Sequence, residues 1–196
     1  WQLANGIKVI PKPTEFKHDQ ILFTASRPVG NSLENNKDYV PAVSATAIIK
    51  QSGISDFSMI ELGKLLTGKI ARVTPWIGEL EEGFMGSASP QDLETMFQLI
   101  YLYFYSPRVD STAFASYRYR LQEYIKNRHA DPKSAFQDTI QLTMAQYHPR
   151  RRPWTEELFA DMDINKSLAI YKDRFADASD FTFIFVGNFT PDSLKP

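Results

Sequence analysis

Val40–Gly53, VPAVSATAIIKQSG, is the stretch on which the fold turns. Val40, Val43, Ala47 and Ile48 share one face at helical spacing, and Gly53 closes the segment where a helix end favours glycine. Strand-like runs lie before and after it. The segment therefore reads as a helix laid on a sheet, with the strands coming in antiparallel hairpins rather than βαβ units. Ser44, Thr46 and Lys50 are its polar positions, and they are not disposed as a ligand set.

Outward from there, the N-terminal side offers Asn5-Gly6, a tight-turn signal, then a short strand Ile7–Ile10 and a second from Ile21 to about Ser26. On the C-terminal side, KIARVTPWIG (69–78) and EGFMGSAS (82–89) read as two strands around a turn. In DFTFIFVGNF (180–189), Phe181, Phe183 and Phe185 alternate with Thr182, Ile184 and Val186, a strand buried on one face and partly on the other. Ser89-Pro90-Gln91-Asp92 is a capping-box start for a helix carrying Leu93, Met96, Phe97, Ile100 and Phe104, which must stop before Pro107. Asp110 caps a longer helix with Phe114, Tyr117, Leu121 and Ile125 inside. Asp131-Pro132 opens one with Phe136, Ile140, Met144 and Tyr147 on one face, and Asp163 one with Ile164, Leu168, Tyr171 and Phe175. Short helices are expected at Phe57–Leu66 and Glu156–Ala160. The order predicts a single α+β domain over residues 1–196, an antiparallel sheet covered by helices on one side.

A chain of 196 residues has length for a real core. Its net charge of -1 gives no global field to draw in nucleic acid or a membrane surface. The absence of cysteine excludes disulfides, zinc–thiolate sites and cysteine nucleophiles. No apolar run is long enough to span a bilayer. At the end, Thr190 suits an N-cap and Pro191 a first helical residue, and the chain starts at Trp1; a segment of a longer polypeptide, cut at the start of a final helix, is expected.

Local chemistry is sparse. His18, His129 and His148 stand far apart, so no helix offers a metal pair, and His129 suits the dipole at a helix end. The basic run HPRRRPW could clamp a phosphate or a peptide carboxylate through Arg150, Arg151 or Arg152. Glu79, Glu81 and Glu82 crowd a turn, where mutual repulsion should keep them in water. Glu61, Glu94, Glu123, Glu156 and Glu157 read as solvated helix-surface charge. Asn165-Lys166-Ser167 and Asn188-Phe189-Thr190 match the glycosylation pattern but lie in a helix and a turn.

Several pieces, in order, resemble the pitrilysin/insulinase family of zinc peptidases, which includes mitochondrial processing peptidase. They are Leu3–Leu33, Ser52–Asp110 and Tyr171–Pro196, with SASPQDLETMFQLIYLYF (87–104) and VGNFTPDSLKP (186–196) the most specific parts, and the resemblance runs from about Leu3 to Lys195. It is strongest to the long bacterial members, and WQLANGIKVIPKP looks most like their third domain. The resemblance implies a chain of homologous α+β domains, four in the long forms, set as two halves around a chamber. In the first domain an H-x-x-E-H motif on the helix after the second strand binds zinc and activates water, and a glutamate on a later helix completes the site. The matching positions here fall near Ser44, Ala47 and Ile48, and none can bind zinc or take a proton. Glu123 lies roughly where the last ligand would be.

The resemblance thus implies a non-catalytic domain of a zinc metalloendopeptidase, inactive alone, with no cofactor in this segment and zinc elsewhere on the parent chain. Its partners would be the other domains and unfolded peptide, in a bacterial periplasm. In the catalytic domain the strand corresponding to Val73–Ile77 pairs with extended substrate, which nominates Val73, Thr74, Trp76 and Ile77 as substrate-binding residues; Pro75 removes a donor in their midst. The alternative is a scaffold domain on the same fold with no part in cleavage, as in the peptidase-like core subunits of respiratory complexes.

Overall fold

The computed structural model describes residues 1–194, the side chain of His129 excepted, so the dipole reading of His129 lies outside the described residues. Five strands form one sheet: β1 (Lys8–Pro13), β2 (Ile21–Arg27), β3 (Ala71–Ile77), β4 (Glu82–Ala88) and β5 (Thr182–Gly187), in the order β1-β5-β2-β4-β3. The α+β reading holds, with one correction. β1 and β2 are not a hairpin, because β5 runs between them, parallel to β1 and antiparallel to β2. The reason is compositional. β5 carries Phe183 and Phe185 inward and half-buried Ile184 and Val186 on its other face, which suits an interior strand. Pro11 and Pro13 leave β1 short of ladder donors, which suits an edge.

Seven helices cover one face of the sheet: α1 (Tyr39–Ser52), α2 (Met59–Leu65), α3 (Leu93–Tyr105), α4 (Ser111–His129), α5 (Pro132–Met144), α6 (Glu156–Ala160) and α7 (Ile164–Arg174). Their starts follow the expected caps. Asp110, Asp131 and Asp163 each accept two backbone N–H groups of the first turn. Gly53 ends α1 at φ 93°, and a side-chain carbon there would lie 2.1 Å from the Phe57 carbonyl oxygen, so only glycine fits. At the C-terminal end the described chain closes in a 3-10 turn, Pro191–Leu194.

α1 lies between two apolar clusters. Ala45 and Ile49 join the core on the sheet, with Phe23, Phe84, Phe185 and Phe175. Val40 and Ile48 join a second cluster with Ile125, Leu158, Phe159 and Met162. The expected face was therefore only half right. Val43 and Ala47 are half-buried, because the helix has neighbours above and below rather than on one side. α5 departs further from expectation. Phe136, Ile140 and Met144 do share a face, but it is turned to solvent, and Tyr147 lies past the helix end at φ 58°.

Candidate functional site

Two places deserve the name of candidate site: the outer side of α1 and the edge strand β3. Between α1, α4 and the segment after α5 lies a cavity of about 200 Å³ lined by Val43, Ser44, Ala47, Leu121, Ile125 and Phe159, among others. Its one serine, Ser44, is already engaged. The Ser44 hydroxyl donates to the Val40 carbonyl at 2.8 Å and lies 3.4 Å from Ser167 Oγ, which itself donates to Pro41. Ile48 is fully buried in the second cluster. Glu123 sits on the surface of α4, where it accepts from Lys126 Nζ at 3.1 Å. Among the described residues no group of three or more histidine, aspartate or glutamate side chains is placed to hold a metal ion. This cavity suits an apolar side chain.

β3 is the free end of the sheet order. Its hydrogen-bond phase follows from its two ends. Gly78 N donates to Glu81 O, and Ser89 N donates to Ile70 O, so the even-numbered residues of β3 bond to β4. Thr74 and Trp76 are thus engaged inward, with their side chains on the uncovered face of the sheet. Val73, Pro75 and Ile77 turn their backbone groups to the open edge and their side chains to the core side. Pro75 has no N–H, so the edge offers donors at Val73 and Ile77 with a gap between them. The residues nominated from the sequence fall on one strand but act in two directions.

The basic run is mostly committed to structure. Arg150 Nε donates to Asn36 Oδ1 at 2.9 Å, its Nη1 and Nη2 donate to the carbonyls of Asn31 and Glu34, and its guanidinium lies over the Tyr39 ring. Arg151 pairs with Glu79. The Arg150 contacts pin the segment before α6 to the loop before α1 and leave Arg150 closed as an anion clamp; Arg151 reaches the β3–β4 turn, and both Arg151 and Arg152 are exposed. His148 accepts from Arg150 N through Nδ1 and caps the 3-10 turn Pro149–Arg151.

Glu82 overturns its reading as a solvated turn residue. It is 0% exposed, held by Arg27 at 2.7 Å and by Arg174 at 3.1 Å, and Arg174 in turn holds Glu34 at 2.6 Å. Burial pushes the Glu82 carboxyl above its ordinary value, and the two guanidinium groups offset part of that. The clue in the sequence was its place as the first residue of a strand rather than the last of a turn. Asp92 was read as part of a capping box, but its carboxylate does not reach back to the Ser89 N–H. It accepts from Ile70 N at 2.8 Å and the Ser89 hydroxyl at 2.9 Å and pairs with Lys69, so it fixes the start of β3. The Ile70 N–H, then the Ser89 hydroxyl and Lys69, hold its carboxyl below the ordinary value.

No family model matches the chain. Whole-length comparison is more informative. The chain is 22% identical over its full length to a probable zinc protease PqqL of Haemophilus influenzae, and it spans about a fifth of that protein's length. Its fold matches the periplasmic protease PqqL of Escherichia coli with a TM-score of 0.78 at 20% identity, over 98% of this chain and 21% of the other. It also matches a peptidase M16 inactive domain from Pseudomonas fluorescens with a TM-score of 0.74 at 12% identity, over 98% of this chain and 47% of that one. The resemblance drawn from the sequence is borne out: the relatives are named as zinc proteases, and one neighbour of the same fold is named a peptidase M16 inactive domain.

Proposed function

We propose that this chain is a non-catalytic domain of a zinc metalloendopeptidase and forms part of the wall enclosing an unfolded peptide, with zinc held by another domain of the parent protein. The observation that carries the reading is α1. The whole chain is similar to part of a zinc protease, and in this reading α1 takes the active-site place with Ser44, Ala47 and Ile48 at the motif positions. These residues do not fit a zinc ion: one hydroxyl is already bonded to its own helix, and the other two side chains have no donor atom.

In this reading the peptide meets the chain at β3. Val73 and Ile77 offer backbone groups to an extended strand, and Thr74 and Trp76 offer side chains on the adjoining face. The missing donor at Pro75 makes this a weaker rail than an unbroken edge. The likeness to a periplasmic protease supports a periplasmic setting for the parent, and no helix among the described residues is long and apolar enough to cross a membrane. Titration of zinc into the purified chain tests the first half of the proposal. Weak, substoichiometric uptake is expected; one zinc bound tightly per chain would refute it.

A further inference from the structure

The helices cover one face of the sheet and leave the other open, and the register fixes what that open face displays. Its positions are the even residues of β1, β2, β3 and β5 and the odd residues of β4. Ile10 is 50% exposed, Leu22 49% and Met85 53%, so no described residue covers them fully. With Ile184 and Val186 they make an apolar floor, and a depression of about 510 Å³ lies over its centre. The uncovered face of an antiparallel sheet is ordinarily polar. An apolar one marks a surface that meets something.

The charges on this face are of one sign. Lys8, Lys12 and Arg72 are its charged residues, all exposed, and none is in an ion pair among the described residues. The remaining positions are serine, threonine, glycine and Trp76. Of the carboxylates in the flanking loops, Asp180 pairs with Arg27 and Glu79 with Arg151, whereas Glu15, Asp19 and Glu81 are exposed and lie off the face itself. This bias is local, since the whole chain carries a net charge of -1. Lys12 and Arg72 stand at opposite ends of one row across the sheet, Lys12–Val186–Leu22–Ser87–Arg72. Four strand spacings separate them, about 19 Å, which is the reach of roughly six extended residues.

We propose that the uncovered sheet face docks an extended polypeptide segment whose carboxylates flank apolar side chains, the carboxylates meeting Lys8, Lys12 and Arg72 and the apolar groups lying on Leu22, Met85 and Val186. This rests on the reading of the chain as a peptide-enclosing wall and adds to it a face and a substrate chemistry. Opposite charges at the rim select the segment and its direction more than they tighten it.

The test uses two terminally blocked, fluorescein-labelled dodecapeptides followed by fluorescence anisotropy. One has glutamates flanking leucines and serines, and the other has lysine in place of each glutamate. The glutamate peptide binds, the lysine peptide binds far more weakly, and the difference shrinks on raising salt from about 50 to about 300 mM. The combined substitution Lys8→Glu, Lys12→Glu and Arg72→Glu weakens the glutamate peptide about tenfold and favours the lysine peptide. Should that variant melt early, the salt and peptide comparisons on the unaltered chain decide alone. Equal binding of both peptides, no binding of either, or no effect of charge reversal in a folded variant overturns the proposal. None of those results touches zinc uptake or the parent's peptide hydrolysis, so the wall reading stands or falls separately.

Discussion

Glu82 shows how much one side chain can hold. It sits at the start of β4 and ties the end of β2, through Arg27, to the end of α7, through Arg174. Replacing it by alanine leaves two guanidinium groups facing a buried space, Arg27 with Asp180 and Arg174 with Glu34 as their remaining carboxylates. Glu82→Ala is expected to cost about 3 kcal/mol or more in urea unfolding, and Glu82→Gln less, because the amide still accepts from one arginine. Asp92 gives a pH-dependent counterpart. Its folded carboxyl titrates below the ordinary value of 3.8, so its contribution is present above that value and is lost as pH falls through the folded one. Asp92→Asn is therefore less stable than the parent near neutrality, and the gap closes below about pH 3.8 in denaturation curves. Neither role was legible from neighbours in the sequence. Glu82 sits among other glutamates, and its partners are far away along the chain. Asp92 announces a helix cap, but its reach to Ile70 depends on where the sheet ends.

At the scale of elements the sequence was most informative where geometry is local. Aspartate caps, the stop before Pro107 and the Asn5-Gly6 turn all follow from chemistry within a few residues. The position of β5 between β1 and β2 did not, because pairing across the whole chain is decided by which strand needs two neighbours. α1 was read as a packing helix, and it is one, though buried on two sides. That double burial predicts the fate of a restored zinc motif. Ser44→His, Ala47→Glu and Ile48→His together would place imidazoles where Ser44 is 4% exposed and Ile48 0%. A loss of about 3 kcal/mol or more is expected, read by thermal or urea unfolding. β3 carries a prediction of its own. Pro75→Val supplies the missing outward N–H between Val73 and Ile77, so the variant should associate with itself or with extended peptides more strongly than the parent in sedimentation velocity.

At the scale of the molecule, the layered architecture separates two surfaces. The helical side closes over an apolar cavity beside α1, and the sheet side stays open with cations around an apolar floor. The family resemblance was legible because several blocks recur in order from end to end, and the expected motif positions were counted back from Gly53. What the open face would display was not legible, because it depends on strand order and register across the sheet. The proposed role as an enclosing wall needs the rest of the peptidase. The direct measurement is peptide hydrolysis by the zinc-bearing half of the parent, alone, with the second half added back, and with a second half lacking this domain. Cleavage that appears only when the domain is present is the expected result. Cleavage that is the same without it would contradict the wall and leave the domain a spacer or an interaction surface.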